Sequence, residues 1–326
     1  MDELITTDRE TSGGGSARDV ALNAAVGQAG RSKRNRLFLV VAAAVLLGLS
    51  GRILLSGGVG NSFLADLLPW MQGTPVTLFF GDESGNYLVP VSRTLTGDAE
   101  SPEGLVDALL AGPDGGVGLV NLFAGTTVNS IAVTESVLAV DLAAGNDGPV
   151  DEKAAQALRH TLESWPEAER VTITIDGRPG QVAPEGSHLL FFYDRANDML
   201  VASPTSEATP AELLARYLQG PADPQLTGLP EDVEVLEFLP SPRGGLLQIN
   251  MTYTPSVRDL ATADGDAMRR ILEGLIATLT TGFADTDYLY LDFEGHATLG
   301  LGQCANLLRR AQPPPEVLND ERLLSR

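Results

Sequence analysis

The stretch "SPEGLVDALLAGP" occupies residues 101–113, and "TPAELLARYLQGP" occupies residues 209–221. Each begins with a hydroxyl residue and proline, carries a leucine pair and ends in Gly-Pro. A Ser or Thr side chain can cap a helix N-terminus, and proline is tolerated at the first helical position. Glycine suits the left-handed position after a helix, and the proline behind it prevents continuation. The shared frame predicts one short helix that occurs twice. The residues that end it are Gly112, Pro113, Gly220 and Pro221.

The similarity extends to both sides of these helices. Upstream, "VTLFFGD" at 76–82 corresponds to "HLLFFYD" at 188–194, and each apolar run predicts a buried strand. Downstream, each copy has two stretches that predict a hairpin, then an amphipathic helix, then a strand ending in an acid and a glycine, Gly177 or Gly295. We therefore predict an α/β (α+β) fold of two tandem repeats, β–(β)–α–β–β–α–β, each a mixed sheet with two helices packed on it.

An apolar run precedes the repeats. Residues 37–55 carry no charge except Arg52 near one end, and as a helix they would be about 28 Å long, close to the hydrocarbon thickness of a bilayer. This predicts one transmembrane helix from Leu37 to Leu55. Basic residues just before it place the N-terminus in the cytoplasm and the bulk of the chain outside. These basic residues are Arg31, Lys33, Arg34 and Arg36.

Two other interpretations of the apolar run stay open, a cleaved signal peptide and a soluble core helix. A signal peptide has a short basic region and a small-residue cleavage site, whereas here residues 1–36 precede the run and no clear A-x-A follows it. The sequence therefore favours an uncleaved anchor. The predicted organisation is a disordered cytoplasmic tail (1–36), the anchor (37–55), a linker (56–75), a first domain (76–180), a second domain (187–297) and a flexible C-terminal tail (298–326).

Composition argues against several kinds of chemistry. The formal net charge of the 326 residues is −21, which disfavours nucleic acid as a partner, and the single cysteine, Cys304, excludes an intramolecular disulfide. The acidic stretches around Asp147 and Asp264 precede the long helices and fit helix capping better than calcium binding. No nucleophile, phosphate-loop or dinucleotide motif is present. The three histidines, His160, His188 and His296, share no metal-ligand spacing. We predict no catalytic residue, cofactor or metal.

These motifs together resemble the GerMN domain, the sporulation and spore germination domain. The first copy carries "LVPVSRTL", "ALLAGP", "GTTV" and "ITIDG", and the second carries "LLFFYD", "YLQGP", "LPEDVEV" and "LDFEG". The resemblance covers residues 76–297. The chain departs from the pattern at Phe123, which stands where the turn proline is expected, and at Asn250, which stands where the first copy has Asp141. The second copy also lacks the "PVSR" element.

The resemblance implies non-catalytic α/β modules on bacterial extracytoplasmic proteins. Such domains are similar in shape to the ring-building motifs of secretion-type complexes, and they support other proteins in envelope and sporulation assemblies. The expected protein is therefore a single-pass scaffold or adaptor of the cytoplasmic membrane, with envelope proteins as partners. The alternative is an envelope enzyme or small-ligand receptor with a site between the two domains. Convergent polar groups in a pocket would favour that alternative, and exposed sheet edges would favour the scaffold.

Overall fold

Part of the chain is described in the computed structural model. The described residues are 73–96, 101–114, 118–143, 152–165, 168–179, 188–241, 245–281, 283, 286–294 and 301–324. The predicted anchor from Leu37 to Leu55, the basic residues before it, and Asp147, Gly295 and His296 lie outside these ranges. Among the helices that fall within them, none is both long and apolar enough to cross a membrane.

The two repeats share most of their order of elements, but the first has an additional final strand and the second an additional helix. The first contains β1 (Thr74–Asp82), β2 (Leu88–Leu95), α1 (Pro102–Ala111), β3 (Leu119–Val120), β4 (Thr127–Thr134), β5 (Val137–Ala143), α2 (Glu152–Glu163), β6 (Arg170–Ile175) and β7 (Arg178–Pro179). The second contains β8 (His188–Asp194), β9 (Met199–Thr205), α3 (Pro210–Leu218), β10 (Leu226–Thr227), β11 (Val235–Pro240), β12 (Leu246–Met251), α4 (Pro255–Ala263), α5 (Gly265–Thr280) and β13 (Tyr288–Phe293). A short 3-10 turn (Gly302–Cys304), α6 (Ala305–Leu308) and α7 (Glu321–Leu324) follow.

The strands divide between a shared sheet and two separate ones. The shared antiparallel sheet has the order β10-β8-β9-β2-β1-β3, so equivalent strands of the two repeats lie at mirrored places about the β9–β2 junction. In each repeat the later strands form a mixed sheet, with an antiparallel hairpin followed by a parallel strand. The mixed α/β class is confirmed. The arrangement differs from the predicted single sheet per repeat because β2 and β9 meet and join the repeats.

Helices α1 and α3 both begin and end at the residues that the sequence predicts. Ser101 Oγ accepts from the backbone N–H of Gly104 at 3.2 Å, and Thr209 forms a capping box with Glu212. Gly112 and Gly220 follow the two helices with φ of 84° and 76°, the left-handed region that side chains disfavour.

The second repeat contains one helix that the sequence interpretation missed. Helix α4 begins with Thr254 and Pro255, and Thr254 Oγ1 accepts from the N–H of Val257 at 3.2 Å. This is the same hydroxyl–proline start as in α1 and α3, and it was therefore available in the sequence. Asp264 then caps α5 by accepting from the N–H of Ala267 at 3.0 Å.

A buried threonine attaches the long helix of each repeat to the first strand. Thr161 Oγ1 in α2 accepts from the N–H of Phe79 at 3.1 Å, and Thr278 Oγ1 in α5 accepts from the N–H of Phe191 at 2.9 Å. Both threonines are fully buried. Each gives a strand N–H a buried hydrogen-bond acceptor, and an unsatisfied buried N–H would be costly.

The C-terminal segment corrects a prediction. A flexible tail was expected over 298–326, whereas residues 301–324 pack on both repeats and bury Leu301, Cys304, Leu308 and Leu318. The triple proline and mixed charge suggested flexibility, but the apolar residues around them fill the core.

Asn319 closes the junction between the two repeats. Strands β2 and β9 share one direct register pair, Leu88 with Ala202. Two residues further along β2 lies Pro90, which has no N–H to donate. The side-chain amide of Asn319 forms hydrogen bonds to both strands at this point. Its Nδ2 donates to the carbonyls of Pro90 at 2.7 Å and Leu200 at 2.8 Å, and its Oδ1 accepts from the N–H of Leu200 at 2.8 Å. Asn319 is fully buried, and its polar side-chain atoms are hydrogen-bonded.

A buried ion pair holds the same segment to the first repeat. Arg93 of the "PVSR" element donates to both carboxylate oxygens of Glu321, at 2.7 and 2.6 Å. It also donates to the carbonyl of Gly112 at 2.9 Å, and Glu321 accepts from the N–H of Asp114 at 2.7 Å. Burial works to raise the pKa of Glu321, but these hydrogen bonds outweigh it and leave that pKa below its ordinary value.

Candidate functional site

One candidate surface is the free edge of the mixed sheet in the second repeat. Strand β11 lies at the end of the order β11-β12-β13, and no other strand in the described ranges pairs with its outer edge. A register irregularity lies between Val235 and Glu237, where Leu236 is 49% exposed. An apolar edge with unpaired backbone groups is a template for an added strand.

The solvent-facing side of this sheet extends the same surface. Leu239, Leu246 and Tyr288 are each exposed, and Leu246 lies directly beside Tyr288 in the parallel register. The matching positions of the first repeat, by register, are Ala132, Val137 and Arg170. The first repeat therefore has smaller apolar residues or a charge at the positions where the second repeat has large apolar ones. We call Leu236, Leu239, Leu246 and Tyr288 the β11 surface.

A second candidate is a cleft between the two repeats with a volume of about 340 Å³. The first repeat contributes residues from β1 and from the C-terminal end of α2, and the second contributes residues from β8 and from the end of α5. The lining residues are Thr77, Phe79, His160, Glu163, Ser164, His188, Leu189, Phe191, Thr280, Thr281 and Pro314. We call this the inter-repeat cleft.

Two histidines from different repeats meet at this cleft. His160 Nδ1 lies 3.0 Å from Glu163 Oε2, while His188 stacks on Phe283 with ring centroids 4.2 Å apart. Burial lowers the pKa of His188, while Glu163 acts in the opposite direction and does not outweigh it. His188 is therefore neutral near pH 7. The described residues hold no group of three His, Cys, Asp or Glu side chains suited to a metal ion.

The other predicted residues lie at turns. Gly177 has a φ of 70°, and its N–H donates to Asp141 at 2.9 Å. A hydrogen bond from Thr174 lowers the pKa of Asp141, with the Gly177 N–H acting in the same direction. Pro113 and Pro221 are half-buried behind their helices, and Gly295 is not among the described residues.

Sequence reasoning missed the cleft for a physical reason. His160 ends a helix of the first repeat and His188 begins a strand of the second, so no local spacing links them. Only the pairing of the two repeats through one sheet brings them together. The β11 surface was detectable in principle, because Leu239 and Leu246 occupy outward positions of alternating strands.

Two equivalent mixed α/β units joined through one sheet define a tandem-repeat module. Residues 77–181 match the family model described as Germane, sporulation and spore germination. Over these residues the chain is similar to the GerMN family, and the second repeat has the same core arrangement of strands and helices.

A solved structure of tandem domains agrees with this fold. The tandem GerMN domains of the sporulation protein GerM from Bacillus subtilis are similar with a TM-score of 0.54 and 16% identity, over 76% of this chain and 99% of that one. The first GerMN domain of the same protein is 18% identical over 41% of this chain and 96% of that one, with a TM-score of 0.27. No curated protein matches the chain in sequence.

Proposed function

We propose that the chain is a non-catalytic scaffold or adaptor of the bacterial envelope that supports a sporulation or envelope assembly. One helix over residues 37–55 anchors it in the cytoplasmic membrane, with the N-terminus inside and both repeats outside. Its partners are envelope proteins. The β11 surface is the main observation behind this proposal, because it combines a free strand edge with exposed apolar side chains.

Affinity capture of the full-length protein from native membranes tests the scaffold role. Leu239→Glu places a charge on the β11 surface, and Ala132→Glu places the same charge at the matching position of the first repeat. We expect Leu239→Glu to lose captured partners that Ala132→Glu retains. Thermal unfolding should be similar for both variants, since both positions are exposed. Identical capture by the two variants would contradict the proposed surface.

A reporter fused after Gly58 tests the anchor. We expect activity only when the reporter works outside the cytoplasm, together with a mature protein that retains Met1. Cytoplasmic reporter activity at this position would refute the orientation, and a mature N-terminus beyond Leu55 would refute the anchor.

A second candidate function, a receptor for a small ligand, is supported by the inter-repeat cleft. That cleft brings imidazole, carboxylate and hydroxyl groups from both repeats around one space. A convergence of this kind is typical of ligand sites and is not needed for packing.

A further inference from the structure

The electrostatic character of the inter-repeat cleft follows from the two helices that end there. Helices α2 and α5 both terminate at the cleft, at Glu163 and Thr280. A helix C-terminus carries about half a negative charge, and the Glu163 carboxylate adds a full one. No lysine or arginine is among the lining residues. These negative groups favour a positive group in the cleft and disfavour a negative one.

His160 has a buried ring nitrogen that the cleft could use as an acceptor. An ionised Glu163 can only accept, so Nδ1 of His160 carries a proton, and the imidazole tautomer with this single proton has a lone pair on Nε2. His160 is 7% exposed, and its buried Nε2 has no hydrogen-bond partner among the described residues. An unsatisfied buried polar atom usually costs about 1–3 kcal/mol. A ligand that carries an N–H donor could remove that cost.

Part of the lining of the cleft is apolar and aromatic. Phe79 and Phe191 occupy equivalent positions on β1 and β8, and both line the cleft. The neighbouring stack of His188 on Phe283 adds flat aromatic surface. Aromatic faces attract organic cations, and more strongly when water is excluded.

We propose that the inter-repeat cleft binds an organic cation, an ammonium, amidinium or guanidinium group attached to an apolar body. Glu163 accepts the charge-assisted hydrogen bond, His160 Nε2 accepts a further N–H, and the two phenylalanines contact the apolar part. The source is either a free small amine or a lysine or arginine side chain of a partner. This inference rests on the second candidate function, the small-ligand receptor, and names the class of ligand that it would bind. It does not depend on the scaffold role.

Calorimetric titration of the full-length protein with benzamidinium tests the charge requirement. Benzamide and benzoate serve as the neutral and anionic counterparts of nearly the same shape. We expect saturable binding of benzamidinium that is at least about tenfold tighter than that of either counterpart, because a charged hydrogen bond contributes about 1.5 kcal/mol or more. Equal affinity for benzamide, tighter binding of benzoate, or no saturable binding of the cation would overturn the proposal.

Matched variants test the site. Glu163→Gln should weaken benzamidinium binding by about tenfold, whereas Glu152→Gln removes the same charge from the opposite end of α2 and should leave the affinity unchanged. A similar loss in both variants would mean a non-specific charge effect and would overturn the proposal. Leu239→Glu should bind benzamidinium normally, so the outcome for the cleft can be read separately from that for the β11 surface.

A second titrant distinguishes the source of the cation. An acetylated and amidated Gly-Arg-Gly peptide presents a guanidinium as a partner protein would. Tighter binding of the peptide than of benzamidinium, lost in Glu163→Gln, assigns the cleft to a partner side chain. Tighter binding of benzamidinium assigns it to a free small cation. Both results support the cation site, while peptide binding that survives Glu163→Gln overturns it.

Discussion

Replacing Asn319 by alanine should destabilise the fold strongly. The substitution removes two donated hydrogen bonds and one accepted hydrogen bond, and it leaves the N–H of Leu200 and the carbonyls of Leu200 and Pro90 without these partners. Each lost bond costs about 1 kcal/mol, and a buried N–H left unsatisfied costs more. The free energy of unfolding should therefore fall by about 3–5 kcal/mol, and the Tm by about 10 °C for a chain of this size.

Urea unfolding followed by circular dichroism measures this change, with the slope of the transition as a check on the unfolded state. Asn306→Ala is the matched control, because Asn306 is an exposed asparagine in the same C-terminal segment. That control should stay within about 0.5 kcal/mol of the parent. If Asn319→Ala lowers the free energy of unfolding by less than about 1 kcal/mol, the amide of Asn319 does not hold the two repeats together.

Four further outcomes are expected. Gly112→Ala should lower the free energy of unfolding more than Gly220→Ala. Both substitutions carry a backbone cost of about 1 kcal/mol, because both glycines have a positive φ. A Cβ at Gly112 would also lie 2.7 Å from the side-chain nitrogen of Asn121, whereas a Cβ at Gly220 would meet nothing within 4 Å. Burial raises the pKa of Cys304 to about 11, so at neutral pH an aromatic disulfide reagent should modify it only as the chain unfolds. The lowered pKa of Glu321 means that its ionised form stabilises the fold, and this contribution should be lost as pH falls below about 4.5; Glu321→Gln should remove that step from the pH–stability curve. Burial lowers the pKa of His188 below 6.5, so benzamidinium affinity should still hold at pH 6.5 and decline only at lower pH, as the imidazole gains its charge; His188→Gln should reduce that decline.

The repeat was predictable because its signals are local. A hydroxyl residue, a proline and a terminal Gly-Pro each act within one helical turn, so "TPAELLARYLQGP" indicates where α3 begins and ends without any tertiary information. The same logic would have found α4 from Thr254 and Pro255. Helix α4 is short, and the longer amphipathic pattern of α5 that follows it dominates this part of the sequence.

The division into sheets was not predictable, since it depends on contacts between distant strands. A single proline in β2 decides how β2 meets β9, and the asparagine that compensates for it lies more than two hundred residues away. The C-terminal segment was misinterpreted for the same reason. Its prolines suggest a loop, which it largely is, but loops can be buried when partners from several elements satisfy their polar groups.

The two candidate sites also differ in how far the sequence predicts them. The β11 surface can be read from strand alternation, because an outward leucine is visible once the strands are placed. The inter-repeat cleft needs the relation between the two repeats, which no periodicity encodes. His160 and His188 are unremarkable individually, and their interest comes from sharing one cleft.

The Asn319 junction also has a consequence for biosynthesis. Ribosomes release a chain from its N-terminus onward, and N-terminal domains generally fold first. Both repeats therefore emerge before the residue that bridges them, and for that interval β2 and β9 lack the amide that later joins them. A nascent chain stalled before Asn319 would expose two strand edges that the finished protein conceals. Strand edges of this kind are sites of misassembly, so translation through this region should be a sensitive period for aggregation.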